Sequence, residues 1–368
     1  MKRKIAYVLH GLAAGGTEAF VINVVSNLNP EEYDITFILA LDDNGKTHQF
    51  HEDKMLEQGI KIYRTCDLDG LKKWKLHYEK LKKILKEEGP FDVIHCNMDL
   101  FNGINLMAAK KVGIPVRICH SHNSESQYST STLKKVMSRT YRIFMRKLIY
   151  KNATVMLGCS ELANDYLYGK KWEKDPRCNV LYNGIDLKKF ELQKNEGQED
   201  IQKKIMTIGR FNKQKNPFFI LDILVELLKI RKDICFSWIG DGELRKPIQE
   251  IVHQRHLEDN IIFLGRRDDI PQLLGQNKYF LFPSLYEGLP ISLIEAQASG
   301  LECFVSDTVT KEVDIGLCKY LSLEKNAKEW AQYISNEIDQ REELSYDNEK
   351  INQFDIKNTI KRLEEIYG

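Results

Sequence analysis

No apolar run in these 368 residues approaches the ~20 needed to cross a bilayer, so no transmembrane helix is expected. The opening Met1-Lys-Arg-Lys-Ile-Ala-Tyr-Val-Leu-His-Gly11 is basic, then apolar. Its apolar stretch stops at His10 after five residues, short of the roughly 7–15 of a secretory signal. It reads as a first strand, and the chain is expected in the cytoplasm. Cys-x-x-Cys pairs are also missing. The eight cysteines, at 66, 96, 119, 159, 178, 235, 303 and 318, include several inside strand-like runs such as Val93–Cys96 and Arg117–Cys119. They read as buried, reduced thiols and give no metal site. Gly-x-Gly-x-x-Gly is absent as well, which argues against an NAD-dependent oxidoreductase. Net charge is nearly absent at +1, so nothing global points to nucleic acid. There is no internal repeat and no low-complexity tract.

Charge of one sign is present locally. Residues 1–185 carry 28 Lys+Arg against 21 Asp+Glu, a balance of +7, while residues 186–368 carry −6. The first half is therefore the half expected to meet an anionic partner. Short apolar strands alternate with amphipathic helices throughout. Strands are expected near 4–9, 34–41, 60–64, 92–96, 115–119 and 154–158, then near 204–209, 234–239, 260–264, 278–282 and 303–305. Intervening helices include 17–28, 72–88, 100–112, 132–151, 216–231, 243–257, 289–300 and 326–339. This β-α alternation, occurring twice, predicts an α/β chain of two doubly wound parallel-sheet domains. The expected boundaries are 1–186, a polar linker 187–203, a second domain 204–345, and a C-terminal segment 346–368 with a helix near 355–366.

Residues 282–295, Phe-Pro-Ser-Leu-Tyr-Glu-Gly-Leu-Pro-Ile-Ser-Leu-Ile-Glu, place Glu287 and Glu295 eight positions apart across a strand–turn–helix junction. A helix N-terminus attracts phosphate, and proline suits the first turn. Carboxylates beside a phosphate seat serve as hydroxyl readers, bases or charge stabilisers. The combination describes a pocket for a nucleotide sugar. Gly209-Arg-Phe-Asn-Lys-Gln-Lys215 follows another strand, where Arg210 and Lys215 suit a diphosphate. Gly15-Gly16 after the first strand is either an ordinary β-α turn or a place where backbone meets ligand. His120-Ser-His122-Asn ends the fifth strand, and strand carboxyl ends are where such folds seat ligands. Asp67-Leu-Asp69 lies in a polar loop with no apolar strand leading into it and does not read as a metal pair.

The wording Glu-Gly-Leu-Pro…Glu-Ala, with its Glu-x7-Glu spacing, resembles the signature of family 4 retaining glycosyltransferases of the GT-B fold. Arg-x-x-His-Ser-His-Asn resembles the branch that builds capsular and exopolysaccharides. Trp238-Ile-Gly-Asp-Gly242 and Phe263-Leu-Gly265 also look like family turns. The resemblance spans essentially the whole chain. It implies two Rossmann-like domains facing across a cleft and a C-terminal helix returning to the first domain. It implies a nucleotide-diphosphate sugar donor, above all a UDP-linked one, and a lipid-linked oligosaccharide acceptor. It implies retention of anomeric configuration without a metal or other cofactor. By position it assigns His120 and Glu287 to catalysis, with His122 the near alternative to His120. Donor binding falls to Gly16, Arg210, Lys215, Glu295 and the N–H groups of Gly288, Leu289 and Pro290. One departure is Glu302, near where the family usually has proline. A nucleotide-sugar epimerase of the same fold and a non-catalytic partner subunit are the alternatives. The first would need further acid/base residues and the second would tolerate loss of the Glu or Arg/Lys pair.

The expected helix 132–151 carries seven Lys/Arg and no acid. Lys135, Arg139, Arg142 and Arg146 share one helical face, and Met137, Tyr141, Phe144 and Leu148 another. Such a helix suits an anionic membrane surface, which would place the enzyme peripherally on the inner face of the cell membrane.

Overall fold

The computed structural model describes residues 2–13, 15–42, 48–123, 132–190, 204–339 and 347–368, with backbone alone for 132–138, 339 and 348. The chain forms two compact units: Met1–Gly184 together with Ile356–Gly368, and Ile185–Asp355.

The first unit is built on seven parallel strands: β1 (Arg3–Leu9), β2 (Tyr33–Leu39), β3 (Lys61–Arg64), β4 (Val93–Cys96), β5 (Val116–Ser121), β6 (Val155–Gly158) and β7 (Cys178–Val180). Their order is β3-β2-β1-β4-β5-β6-β7. Between them run α1 (Gly16–Asn27), α2 (Glu52–Glu57), α3 (Leu71–Glu87), α4 (Asn102–Lys111), α5 (Thr132–Asn152) and α6 (Glu161–Tyr168). Strands covered on both faces are apolar on both faces, as in Ile5–Leu9, every residue of which is fully buried. One face of the sheet, with Ala6, Val8, Ile94, Cys96 and Cys119, belongs to a core shared with Leu81, Leu106, Met145 and Ile149 of α3, α4 and α5.

The second unit opens with α7 (Leu187–Phe190). Its sheet has the order β10-β9-β8-β11-β12-β13, comprising β8 (Lys204–Ile208), β9 (Cys235–Ile239), β10 (Ile261–Gly265), β11 (Tyr279–Phe282), β12 (Glu302–Ser306) and β13 (Cys318–Leu321). The helices are α8 (Pro217–Ile230), α9 (Arg245–Gln254), α10 (Ile270–Gly275), α11 (Ile291–Ala298), α12 (Ala327–Asp339) and α13 (Asn348–Asn352). Helix α8 packs on α12, where Trp330 is fully buried. Residues 187–190, placed in a linker by the sequence reading, form α7 against α10 and α11. Residues 191–203 lie outside the described residues.

The last helix, α14 (Ile356–Tyr367), rejoins the first unit and packs on α1. Its buried side chains, Ile356, Thr359, Ile360, Leu363 and Tyr367, recur at helical spacing. Thr359 Oγ1 donates to the Tyr182 carbonyl at 3.1 Å. A Cβ on Gly184 would lie 2.6 Å from the Ile356 Cα, so only glycine lets the chain pass this close to the helix.

In each sheet one place has neighbouring strands whose connections leave in opposite directions: β1/β4 in the first and β8/β11 in the second. In open α/β sheets the carboxyl ends at such a point form the ligand crevice. The residues singled out by the sequence follow β8 and β11 directly, and in the first unit they lie after β1 and at the end of β5.

Candidate active site

In the second unit, the turn after β8 and the turn after β11 are stapled together. Asn212 Oδ1 accepts the Lys215 N–H at 3.1 Å and caps a tight turn over Lys213–Lys215. Asn216 then takes a left-handed conformation (φ 54°) that starts α8 at Pro217. Its side-chain amide donates to the Pro283 carbonyl at 3.2 Å. The Leu285 N–H donates to the Gln214 carbonyl at 2.8 Å. Gln214 Nε2 donates to the Tyr286 carbonyl at 3.0 Å and to Glu287 Oε2 at 3.3 Å. From the far side, the hydroxyls of Ser306 and Thr308 hold the Ser284 carbonyl at 2.5 and 2.8 Å.

Lys215 sits inside this frame. Its Nζ donates to Glu287 Oε1 at 2.7 Å and lies 4.5 Å from the centre of the Phe282 ring. Glu287 is only 7% exposed. A buried carboxylate held by a lysine and a glutamine cannot drift, so the acid and the cation are fixed as a unit. The exposed Arg210 shares a narrow crevice with Gly209, Lys215, Phe282, Pro283 and Ser284. Gly240 (φ 134°) packs on this loop so closely that a Cβ would lie 2.0 Å from the Gly209 carbonyl oxygen. The glycine of Trp238-Ile-Gly-Asp-Gly242 is thereby explained by backbone contact.

Gly288, Leu289 and Pro290 are buried and lead into α11, which begins at Ile291 rather than near 289. One expectation needs correcting: Pro290 has no N–H and cannot offer one to a phosphate. Its carbonyl instead accepts from Leu293 and Ile294 at 3.0 and 3.2 Å. The first-turn N–H groups of Ile291 and Ser292 have no acceptor within the helix and stay available to an anion. Glu295, half-buried one turn along α11, is pushed up to about 8 by loss of water around its carboxyl. Burial shifts it toward the protonated form, which both donates and accepts and so suits a pair of hydroxyls. Lys215 and Glu287 are thus brought into contact, with Arg210 beside them.

In the first unit, Gly16 is the first residue of α1, and a Cβ there would meet no protein atom within 4 Å. Phe20, one turn on, meets the His120 ring edge to face with centroids 5.2 Å apart. His120 is fully buried at the end of β5. Its Nδ1 lies 3.1 Å from His95 Nε2, and its Nε2 has no hydrogen-bond partner among the described residues. His122, its ring 4.2 Å from that of His120, bonds Asn97 Oδ1 through Nε2 at 2.8 Å. Burial holds all three imidazoles far below the usual histidine range, His95 and His122 down to about 3. They are neutral hydrogen-bonding groups, so His120 is no proton donor of the imidazolium kind.

Residues 14–189 match the family described as "Glycosyltransferase Family 4", and residues 188–352 match "Glycosyl transferases group 1". Over 346 residues the chain is 32% identical to EpsF of Bacillus subtilis, covering 91% of this chain and 87% of the relative. The chain is a family 4 glycosyltransferase. It is 28% identical to the capsular polysaccharide biosynthesis glycosyltransferase CapH of Staphylococcus aureus, with 99% and 98% covered. It is 25% identical to the Escherichia coli UDP-Gal:alpha-D-GlcNAc-diphosphoundecaprenol alpha-1,3-galactosyltransferase, with 100% and 97% covered. Among solved structures, HepE of Anabaena in complex with UDP superposes with a TM-score of 0.77 at 17% identity, with 99% of each chain covered. The GT-B fold is shared.

Elsewhere in the glycosyltransferase the structure reassigns several residues. Arg146 was expected to face a membrane. Its guanidinium instead caps α6, donating to the carbonyls of Leu167 at 2.8 Å and Tyr166 at 2.5 Å. Arg142 is half-buried with its guanidinium 5.2 Å from the centre of the Tyr166 ring. Arg139 is exposed, and the Lys135 side chain lies outside the described residues. Tyr141 packs against Trp74, so the apolar face is also divided: Phe144 and Ile143 point outward, 56% and 48% exposed. Asp67 pairs with Lys73 at 2.9 Å, and Lys73 also reaches Asp42 at 3.0 Å. That gives the Asp-x-Asp a structural use. Glu302 begins β12, buried and 4.0 Å from Lys319. Sequence reasoning missed His95, Asn97 and Tyr367 around His120. The strand-end wording His95-Cys-Asn97 was the available signal, and it gained meaning only once β4 and β5 were known to be neighbours.

Proposed function

We propose that this glycosyltransferase moves a hexose or N-acetylhexosamine from a UDP-sugar to a lipid-linked saccharide in capsular or exopolysaccharide assembly, with retention at the anomeric carbon. The observation that carries the reading is the Lys215–Glu287 pair, fixed at 2.7 Å beside Arg210 where β8 and β11 diverge. Lys215, Arg210 and the N–H groups at the start of α11 stabilise the departing diphosphate, and their positive charge does this without a metal. Glu287 grips sugar hydroxyls and favours positive charge at the anomeric carbon. Glu295 takes the ribose hydroxyls. His120 contributes a neutral imidazole, a hydrogen-bonding group rather than a charge. A diphosphate oxygen takes the acceptor proton in a front-face attack. The donor and acceptor classes are supported by the name of the E. coli relative and the pathway by that of CapH.

Incubation with UDP-glucose, UDP-galactose, UDP-N-acetylglucosamine and UDP-N-acetylgalactosamine, with and without a polyprenyl-diphosphate-linked sugar, tests this directly. UDP release that rises with acceptor, and an axial product linkage from an axial donor, are the expected results. Formation of an epimeric nucleotide sugar instead would replace the reading.

The enzyme is proposed to meet its lipid acceptor by lying peripherally on the cytoplasmic membrane face. No helix among the described residues is long and apolar enough to cross a membrane. The outward side of α5 offers Arg139, Ile143, Phe144 and Lys147, cations flanking exposed apolar side chains. Replacing both Ile143 and Phe144 by serine is expected to abolish co-sedimentation with anionic vesicles while leaving donor hydrolysis intact. Undiminished vesicle binding would sink the assignment.

A further inference from the structure

The loop 169–177, between α6 and β7, forms a cavity of about 720 Å³ with Tyr150 in the last turn of α5. That volume falls within the roughly 300–1,000 Å³ of small-molecule sites. The end of α5 and the loop stand where the chain enters β6 and β7, so the cavity lies at the amino edge of the parallel sheet. His120 stands at the carboxyl edge, near the end of β5. The cavity is therefore no part of the candidate active site.

Its wall is tied down. Arg177 Nη1 donates to the carbonyls of Tyr150 and Ala153 at 3.1 and 3.0 Å, which satisfies the end of α5. Arg177 Nε and Nη2 donate to the two carboxylate oxygens of Asp175 at 3.0 and 2.7 Å. The Tyr150 hydroxyl donates to the Tyr168 carbonyl at 3.2 Å. The guanidinium is thus spent on the frame, and Asp175 matches its charge.

Lys170, Lys171 and Lys174 line the same cavity and are exposed. None of the three pairs with a carboxylate among the described residues, and Glu173 does not line the cavity. Three ammonium groups around one hollow are left without a counter-charge. A concave wall of one sign focuses its field and concentrates counter-ions. A carboxylate would bring one charge and two oxygens, whereas a phosphate ester brings up to two charges and three strong acceptor oxygens. Lysine holds phosphate as a point charge, and three lysines match those oxygens.

We infer that this cavity is a second anion site, in the first unit, that takes a phosphate ester. The same group can come from a soluble phosphate ester or from a phospholipid headgroup. Tyr150 lies about two helical turns from the exposed Ile143 on the same side of α5, so the cavity continues the side proposed to lie on the membrane. The site does not depend on the sugar-transfer reading.

Lysine acetylation footprinting by mass spectrometry tests it residue by residue, with Lys215 reporting the donor site separately. Glycerol 3-phosphate is added in one arm, phosphatidylglycerol vesicles in a second and phosphatidylcholine vesicles in a third. Lys170, Lys171 and Lys174 are expected to be protected in the first or second arm and labelled in the third, with the exposed Lys325 and Lys328 labelled throughout. Protection by glycerol 3-phosphate assigns a soluble ligand, and protection by phosphatidylglycerol alone assigns a headgroup. In the Lys170→Gln/Lys174→Gln variant the midpoint of Lys171 protection is expected to move about fivefold to higher ligand, the loss of two exposed ion pairs. Labelling unchanged in every arm overturns the site. Equal protection by phosphatidylcholine, equal protection of Lys325 and Lys328, or an unmoved midpoint overturns it too. Vesicle binding through Ile143 and Phe144 with these lysines still labelled overturns the site and leaves the membrane contact of α5 standing. Absence of turnover with every nucleotide sugar strikes the proposed function and leaves the footprint readable.

Discussion

Lys215→Ala is expected to lower kcat for sugar transfer about 10²–10³-fold, the loss typical when one fixed group is removed from a developing negative charge. The donor KM should change far less, because the charge on the diphosphate is greatest as it leaves. The variant also strips Glu287 of its closest cation, a buried carboxylate partner at 2.7 Å, so part of the loss is structural. Glu287→Gln separates the two. It keeps the shape and one accepting oxygen, enough for Lys215 or Gln214 but not both, while removing the charge. If Glu287 served only to seat Lys215, the amide would retain most activity. If it also favours charge at the anomeric carbon, kcat should fall by at least about tenfold. Steady-state UDP release with a saturating acceptor, alongside the thermal midpoint of each variant, decides the matter. Full activity in both would remove these residues from the mechanism.

Acid should unfold the first unit well before the second. His77, His95, His120 and His122 are all held neutral by burial, the first at about 4 and His95 and His122 at about 3. In the unfolded chain each imidazole regains its ordinary value near 6.5. The folded values lie lower, so their full contribution to stability is present above about pH 6.5 and is lost as pH falls below it. Each histidine then costs about 1.4 kcal/mol per pH unit, and four together cost on the order of 6–8 kcal/mol by pH 5. That rivals the whole stability of a typical domain. All four lie in the first unit. In the second unit Glu295 has the opposite sign. Its raised value makes its contribution complete below about 4.5 and lost as pH climbs through 8. Hydrogen exchange read by mass spectrometry from pH 7.5 to 4.5 follows both units at once. Loss of protection confined to the first unit near pH 5 is expected. A flat first unit, or a second unit that opens first, contradicts the assignment.

Much of this arrangement was legible because its carriers sit at strand ends. Hydrophobic runs marked β5, β8 and β11; the residues just past them, His120, Arg210 and Glu287, were singled out by that position and given roles only by the family resemblance. Sheet order was not legible, because each pairing joins strands far apart in the chain. Without it nothing in the sequence said that His95 touches His120 or that Tyr367 reaches His95 across 272 positions. The helical wheel of α5 grouped side chains that the structure divides, leaving Arg139 and Phe144 exposed while Arg146 and Tyr141 pack against neighbouring elements. Arg146 therefore read as a surface cation when it spends its donors on the end of α6. Lys215 and Glu287, both singled out, were assigned to different parts of the donor, and their contact with each other emerged only when the two turns were seen stapled together.

The closure of the first unit by α14 also sets an order of events on the ribosome. The second unit is one uninterrupted stretch, Ile185–Asp355, inserted into the first. A nascent chain can finish that inserted unit while the earlier-made sheet still waits for its last helix. The usual rule that domains fold in the order of synthesis is therefore turned around here. Until Tyr367 leaves the exit tunnel, Tyr7 and His95 lack the hydroxyl that joins them, and the half-made enzyme has an unfinished first unit and a completed second one.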